Sequence, residues 1–218
     1  MIRVINGYEA GRHSDVVDQM HRIRAQVFSD RPQWDARVNN GREIDRFDKE
    51  DPLYLVSIDE SSKQVQGSVR LMPTTGPNML RDVFRELLED GLAVESPVIW
   101  ESSRFSVNPD LSHRTDDGTS KPLPNRVTTE LLLGMVEVAQ LAGIRFVVSV
   151  FDARTVRMFR AADCPAEILG KGKKFGRVMT YVGLFEINDN LRSRIATAGS
   201  IDGSVLEKQF PEKPIEVA

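Results

Sequence analysis

Residues 98–107, VIWESSRFSV, read as a buried strand, yet the run carries a carboxylate, Glu101, and a guanidinium, Arg104. Desolvating an unpaired charge is costly, so such a run enters a core only if its charges find partners. The chain offers them upstream: Asp45 and Asp48 in GREIDRFDKED, and Arg70 in the strand-like GSVRLMP. The fold must therefore bring these three segments together. Strict alternation puts Glu101 with Ile99, Ser103 and Phe105 on one face, and Arg104 with Trp100 on the other. For both charges to reach one site the strand must be bulged, a known device beside active sites.

The rest of the chain alternates strand-like and helix-like segments. Residues 2–5 suit a short first strand. Over 15–28, Val16, Met20, Ile23 and Val27 recur at three- and four-residue steps, which predicts an amphipathic helix with Ser14 as its N-cap. Residues 29–52 are polar and aperiodic and read as a long loop, the kind that is usually functional or disordered. Two strands, 53–59 and 64–72, form a hairpin around Ser61-Ser62-Lys63. A short helix is expected over 79–89, a polar loop over 108–124 and the best helix of the chain over 127–141. Residues 144–151 form a near-continuous apolar run, suited to a central strand buried on both faces. A helix over 154–162 and a last strand over 177–187 follow. Residues 1–190 are thus expected to form one domain, and 191–218 a polar, frayed tail.

Composition narrows the function. The apolar share is 40% and the formal net charge −3, enough for a sizeable core and without the basic excess of a nucleic-acid binder. A single cysteine, Cys164, excludes an intrachain disulfide and suits a reducing compartment. No window approaches the ~18 apolar residues of a membrane span, and the first residues lack a signal-peptide pattern. A cytoplasmic location is expected. His13, His21 and His113 are scattered, so no metal site is expected.

Arg24, Phe28, Trp34, Asp45, Asp48, Arg70, Glu101 and Arg104, in this order and at this spacing, resemble the signature of the LuxI-type acyl-homoserine lactone synthases. The resemblance implies an α/β fold: a three-layer α/β/α sandwich with a mixed, mostly antiparallel sheet, like that of the GNAT acyltransferases. In that fold two central parallel strands splay apart and an acyl thioester enters the gap. Here those strands would be the Glu101 strand and the strand over 144–151.

The implied reaction joins an acyl thioester to the α-amine of S-adenosylmethionine (SAM), which is a substrate, with no cofactor. The methionyl carboxylate then closes the lactone and expels methylthioadenosine. Glu101 would be the base, and Arg104, Asp45, Asp48 and Arg70 would complete the catalytic cluster. Taken alone, Glu101 also fits a structural ion pair, and Asp45 and Asp48 a solvated acidic surface. Arg24, Phe28 and Trp34 would bind SAM, Arg24 by holding a carboxylate and the aromatics by cation–π attraction. Taken alone, Phe28 is plain core.

The acyl pocket would draw on Met79, Phe84, Ser103, Phe105, Leu133, Met135, Val148, Ser149, Phe151 and Leu184. Relatives that prefer 3-oxo chains commonly carry a threonine on the strand after the long helix. Here Ser149 and Phe151 stand there, which favours unsubstituted or 3-hydroxy chains. The acyl donor would be an acyl carrier protein or coenzyme A. A basic cluster of Arg154, Arg157, Arg160, Lys171, Lys173, Lys174 and Arg177 suits an acidic carrier, or is simply a solvated face. Two other readings are another GNAT-type N-acyltransferase and a non-catalytic SAM- or acyl-binding module. The Lys121–Arg126 segment lacks the glycines of a GNAT pyrophosphate cradle, and the intact signature argues against a non-catalytic relative. A SAM-dependent methyltransferase would need a glycine-rich turn after an early strand, and Ile5-Asn6-Gly7-Tyr8 is a poor one.

Overall fold

The computed structural model describes residues 1–29, 34, 36–88, 94–111 and 125–208. Its elements begin with β1 (Ile2–Asn6), α1 (Ser14–Phe28), β2 (Val38–Asn39), β3 (Arg42–Glu43), β4 (Leu53–Ile58) and β5 (Val65–Pro73). They continue with α2 (Met79–Asp82), β6 (Ile99–Val107), α3 (Arg126–Leu141), β7 (Phe146–Asp152) and α4 (Ala153–Ala161). β8 (Glu167–Phe175), β9 (Val178–Glu186) and α5 (Asp189–Gly199) complete the series. Among the described residues the main sheet runs β1-β4-β5-β6-β7-β9-β8, and β2 and β3 form a separate hairpin. β6 and β7 pair in parallel; the other neighbours in the main sheet are antiparallel.

Alternation along the strands sends side chains to two cores. Leu55, Val69 and Val147 pack with α3, α4 and α5 through Leu131, Val136, Phe159 and Ile195. Tyr54, Val56 and Ile58 face the other way, against Val16, Met20 and Ile23 of α1. Met72, Val148 and Val182 meet Phe28, Met79 and Leu80 on that second side. Helices therefore cover both faces, giving the expected mixed, mostly antiparallel α/β/α sandwich. Among the described residues no helix is long and apolar enough to cross a membrane.

The expected helices and strands are largely present, with four differences. α1 starts at Ser14 after a 3-10 turn, Gly7–His13, so His13 rather than Ser14 stands at the cap. The loop 29–52 contains the β2–β3 hairpin and a 3-10 turn, Arg46–Lys49. The helix expected over 79–89 is only Met79–Asp82, followed by a 3-10 turn Arg85–Leu87. β8 was not expected, because its EILGKGKKF sequence lacks an apolar run.

The frayed tail is corrected as well. α5 places Leu191 and Ile195 in the core beside α3. The chain then returns to β1, where Ile2 N–H donates to Val205 O at 2.7 Å and Glu207 N–H to Ile2 O at 2.8 Å. This closure helps to cover α3, which is buried from Val127 to Ala139, and Glu137 of α3 accepts the Val205 N–H at 3.1 Å. Residues 209–218 of the expected tail, and 112–124 of the expected polar loop, lie outside the described residues.

Candidate active site

Opposite β5, the β6 register steps from Arg70↔Ser103 to Ser68↔Ser106, so Arg104 and Phe105 together oppose Val69. This is the bulge that the charges of the strand require. Arg104 sits in the left-handed region at φ 53°, a conformation that costs a non-glycine residue ~1 kcal/mol. One extra residue inverts the alternation beyond it. Glu101, Ser103 and Arg104 consequently share the α1 side. Phe105, expected on that same face, lies on the α3 side instead, its ring 5.9 Å from that of Phe159.

The bulge delivers Arg104 into a buried cage of alternating charge. Arg24 from α1 bonds Glu43 Oε2 through Nε at 2.7 Å and grips Asp48 with both terminal nitrogens at 2.8 and 2.9 Å. Arg70 from β5 grips Asp45 at 2.6 and 3.0 Å, reaches Asp48 at 3.0 Å, and donates to Ser103 Oγ at 3.1 Å. Arg104 closes the ring on Glu43 at 2.9 Å and Asp45 at 2.8 Å. Asp45 and Asp48 form a capping box over the Arg46–Lys49 turn, which fixes the loop that carries both. Burial disfavours the Asp48 anion, but the Arg24 guanidinium overrides it and holds the carboxyl well below the usual range.

Two expectations change here. The fork of Arg24 is filled by the protein's own carboxylates rather than open to one from a substrate. Asp45 and Asp48 are not a solvated acidic surface, because Arg24, Arg70 and Arg104 balance Glu43, Asp45 and Asp48 charge for charge. Glu43 is fully buried, although its place in a polar loop does not mark it in the sequence. The clue was available: three buried arginines against Asp45 and Asp48 leave one cation without a partner.

Aromatic side chains line one flank of the cage. The Arg104 guanidinium lies 5.3 Å from the Phe28 ring centroid. Phe28 is 6.3 Å from Trp34, Trp34 5.5 Å from Phe84, and Phe84 5.1 Å from Phe175 on β8. Met79 packs in the same cluster, and its sulfur lies 3.3 Å from the Arg104 guanidinium.

Glu101 stands apart from the cage. Its two oxygens accept the backbone N–H groups of Met79 at 2.9 Å and Leu80 at 2.5 Å, at the start of α2. Burial pushes its carboxyl up to about 7, against the lowering effect of those two N–H groups and, less, of Arg70 and Arg104. Among the described residues it makes no salt bridge, so the ion-pair reading of Glu101 gives way to a carboxyl held by backbone N–H groups.

β6 and β7 pair only over Ile99↔Phe146 to Ser102↔Ser149. Past that point β6 follows β5 and β7 follows β9, so the two strands stop pairing one residue beyond Glu101. This is where the fold expects them to splay. The expected acyl-pocket residues divide between the two faces of the sheet. Met79, Phe84, Val148 and Leu184 belong to the α1-side cluster, with Ser103 on the same side. Phe105, Leu133, Met135 and Phe151 belong to the core beneath α3 and α4. Ser149 donates to Ser102 O at 2.9 Å, across the last paired position.

The description "Autoinducer synthase" attaches to the family model that matches residues 8–195. The chain belongs to the autoinducer synthase family. Its relatives include an acyl-homoserine-lactone synthase of Rhizobium etli, 36% identical over 196 residues and covering 88% of each chain. Among solved structures, the CoA-dependent acyl-homoserine lactone synthase BjaI, determined with SAM and isopentyl-CoA, is 25% identical with a TM-score of 0.81, covering 100% of this chain and 96% of that one. The synthase LasI is 29% identical with a TM-score of 0.74, covering 96% and 98%. A putative N-acetyltransferase of Lactobacillus plantarum, at 11% identity and TM-score 0.52, covers 86% of this chain and 99% of that one and shares the fold alone. In this autoinducer synthase, β5, β6, α1 and the loop before β4 together supply the eight signature positions.

Proposed function

We propose that this autoinducer synthase is an acyl-homoserine-lactone synthase that acylates the α-amine of SAM and then releases methylthioadenosine as the lactone closes. The observation that carries the reading is Glu101: buried, held by two backbone N–H groups, its carboxyl pushed up to about 7 by burial, and one residue before the β6–β7 pairing ends. A free α-amine has a pKa of about 8, so a base near 7 needs only a small driving force to take its proton as it attacks the thioester. The second step demands less of the protein, since a sulfonium leaves readily and the attacking carboxylate is intramolecular.

The neighbouring groups then have distinct tasks. Phe28 and Trp34 offer ring faces to the sulfonium, while Arg24, Asp45, Asp48 and Arg70 hold the wall on which they stand. The bulge at Arg104 and Phe105 interrupts the β5–β6 ladder and turns Arg104 into the cage. The acyl chain passes through the gap, meeting Met79, Phe84, Val148 and Leu184 on one side and Phe105, Phe151, Leu133 and Met135 on the other. Because Ser149 already donates to Ser102 O, its hydroxyl is engaged, in keeping with unsubstituted or 3-hydroxy chains.

α4 follows β7 directly, and its Arg154, Arg157 and Arg160 are exposed, as are Lys171, Lys173, Lys174 and Arg177 of the β8–β9 arm, where Lys173 pairs with Glu86. This face suits the anionic part of the donor, an acyl carrier protein or the phosphates of coenzyme A. A cytoplasmic enzyme meets both donors and SAM.

The test is a mass-spectrometric product assay with SAM and a panel of carrier-protein and coenzyme A thioesters. Acyl-homoserine lactone and methylthioadenosine in equal amounts are expected. Intact SAM across the panel, with folded protein, overturns the reading.

A further inference from the structure

The groups that hold Glu101 belong to a helix too short to hold itself. α2 spans Met79–Asp82, and one turn of helix is not self-supporting in water. Its orientation comes from Asn78, 2% exposed and extended at φ −153°. Asn78 Oδ1 accepts the Arg81 N–H at 2.9 Å, and Nδ2 donates to Thr74 O at 3.2 Å and Gly76 O at 2.9 Å. Thr74 is in turn tied to β6: its N–H donates to Ile99 O at 3.3 Å, and its hydroxyl lies 2.7 Å from the same oxygen. The bonds thus run from β6, two residues before Glu101, through Thr74 and Asn78, and back to Glu101 through the amides of Met79 and Leu80.

We infer that Asn78 is a positioning residue for the reaction: it aims the Met79 and Leu80 amides at Glu101 and so fixes the carboxylate in the gap. The inference rests on reading Glu101 as the base. Asn78 touches no reacting atom and acts through α2. Met79 carries the link further, because its N–H holds Glu101 while its sulfur meets Arg104. A displaced α2 therefore loosens the base from the arginine cage at the same time. The two amides oppose burial at Glu101, so losing their aim raises the pH at which the carboxyl ionises.

The test compares Asn78→Ala, Asn78→Gly and Asn78→Ser with the unaltered chain. Glycine is well tolerated at a helix N-cap, and serine restores a cap oxygen. Glu101 is followed by carbon-13 NMR of labelled glutamate carboxyls, assigned by its loss in Glu101→Gln; kcat, KM for SAM and the pH profile are measured alongside. In the Ala and Gly variants the Glu101 titration and the acid limb of kcat/KM should both move up by about one pH unit. At fixed low pH that is about tenfold in the ionised fraction, with KM for SAM unchanged. Asn78→Ser should return both towards the original. An unmoved Glu101 titration in folded Asn78→Gly overturns the inference. Should Glu101→Gln retain full turnover, the base assignment fails instead, and the NMR titration still reports on Asn78 without reference to activity.

Discussion

The hydroxyl of Tyr54 donates to Asp48 Oδ1 at 2.8 Å, from a strand position that pairs directly with Arg70. A buried tyrosine on β4 thereby fixes a carboxylate shared by Arg24 and Arg70. Burial and the adjacent Asp48 charge push its ionisation far above the ordinary range, so it remains a donor at any working pH. Tyr54→Phe should cost about 1 kcal/mol of stability. If the same loss is felt at the SAM site, KM for SAM rises about fivefold while kcat holds. Thermal unfolding and steady-state kinetics read the two effects separately, and an unchanged protein would mean that Asp48 needs no fourth donor.

Glu43 holds both Arg24 and Arg104. Glu43→Gln keeps its shape but leaves the cage with one uncompensated buried cation, for which roughly 3–5 kcal/mol is expected. Urea unfolding measures this directly. A loss below about 1 kcal/mol would show that water reaches the cage.

Glu101 and His21 give opposite dependences of stability on pH. Burial raises Glu101 from 4.5 to about 7; its stabilising contribution is complete below the lower value and is lost as pH rises through the higher. Burial, then Arg24, lowers His21 from 6.5 to about 4; its contribution is complete above the higher value and is lost as pH falls. Each displacement is worth roughly 3 kcal/mol, so between about pH 4.5 and 6.5 the two slopes nearly cancel. Stability measured across that window should be flat for the intact chain and should rise with pH in Glu101→Gln. A flat profile in both would remove Glu101 from the set of displaced groups.

Val148 is fully buried and pairs across β6–β7 with Glu101. Val148→Ala widens the gap beside the base at a cost of roughly 2 kcal/mol. Products should shift to longer acyl chains in a competition assay with mixed thioesters. An unchanged product profile would place the chain elsewhere.

Much of this was legible because buried charge is expensive. Glu101 and Arg104 in one apolar strand implied partners and a bulge, and Arg104 at positive φ is that bulge. Phe105 lies on the face opposite to the one alternation predicts, because alternation cannot be carried through a bulge whose position the sequence does not mark. Glu43 is hard to read from sequence, because a carboxylate in a polar loop looks like any solvated one until the arginines are counted in space. β8 and α5 carry weak local signals: β8 has glycines and lysines in place of an apolar run, and α5 is polar except for residues such as Leu191 and Ile195. Both are held by neighbours, β9 and α3, that lie beyond any short sequence window.

The three-to-three balance of the cage has a consequence at a distance. A buried cluster whose charges cancel projects almost no field into solvent, so the centre does not itself draw in ligands from afar. Approach is left to the outer arginines and lysines of α4 and the β8–β9 arm, whose reach shrinks to about 8 Å at physiological ionic strength. Added salt should therefore slow the encounter with an anionic donor while leaving the chemistry after binding nearly untouched.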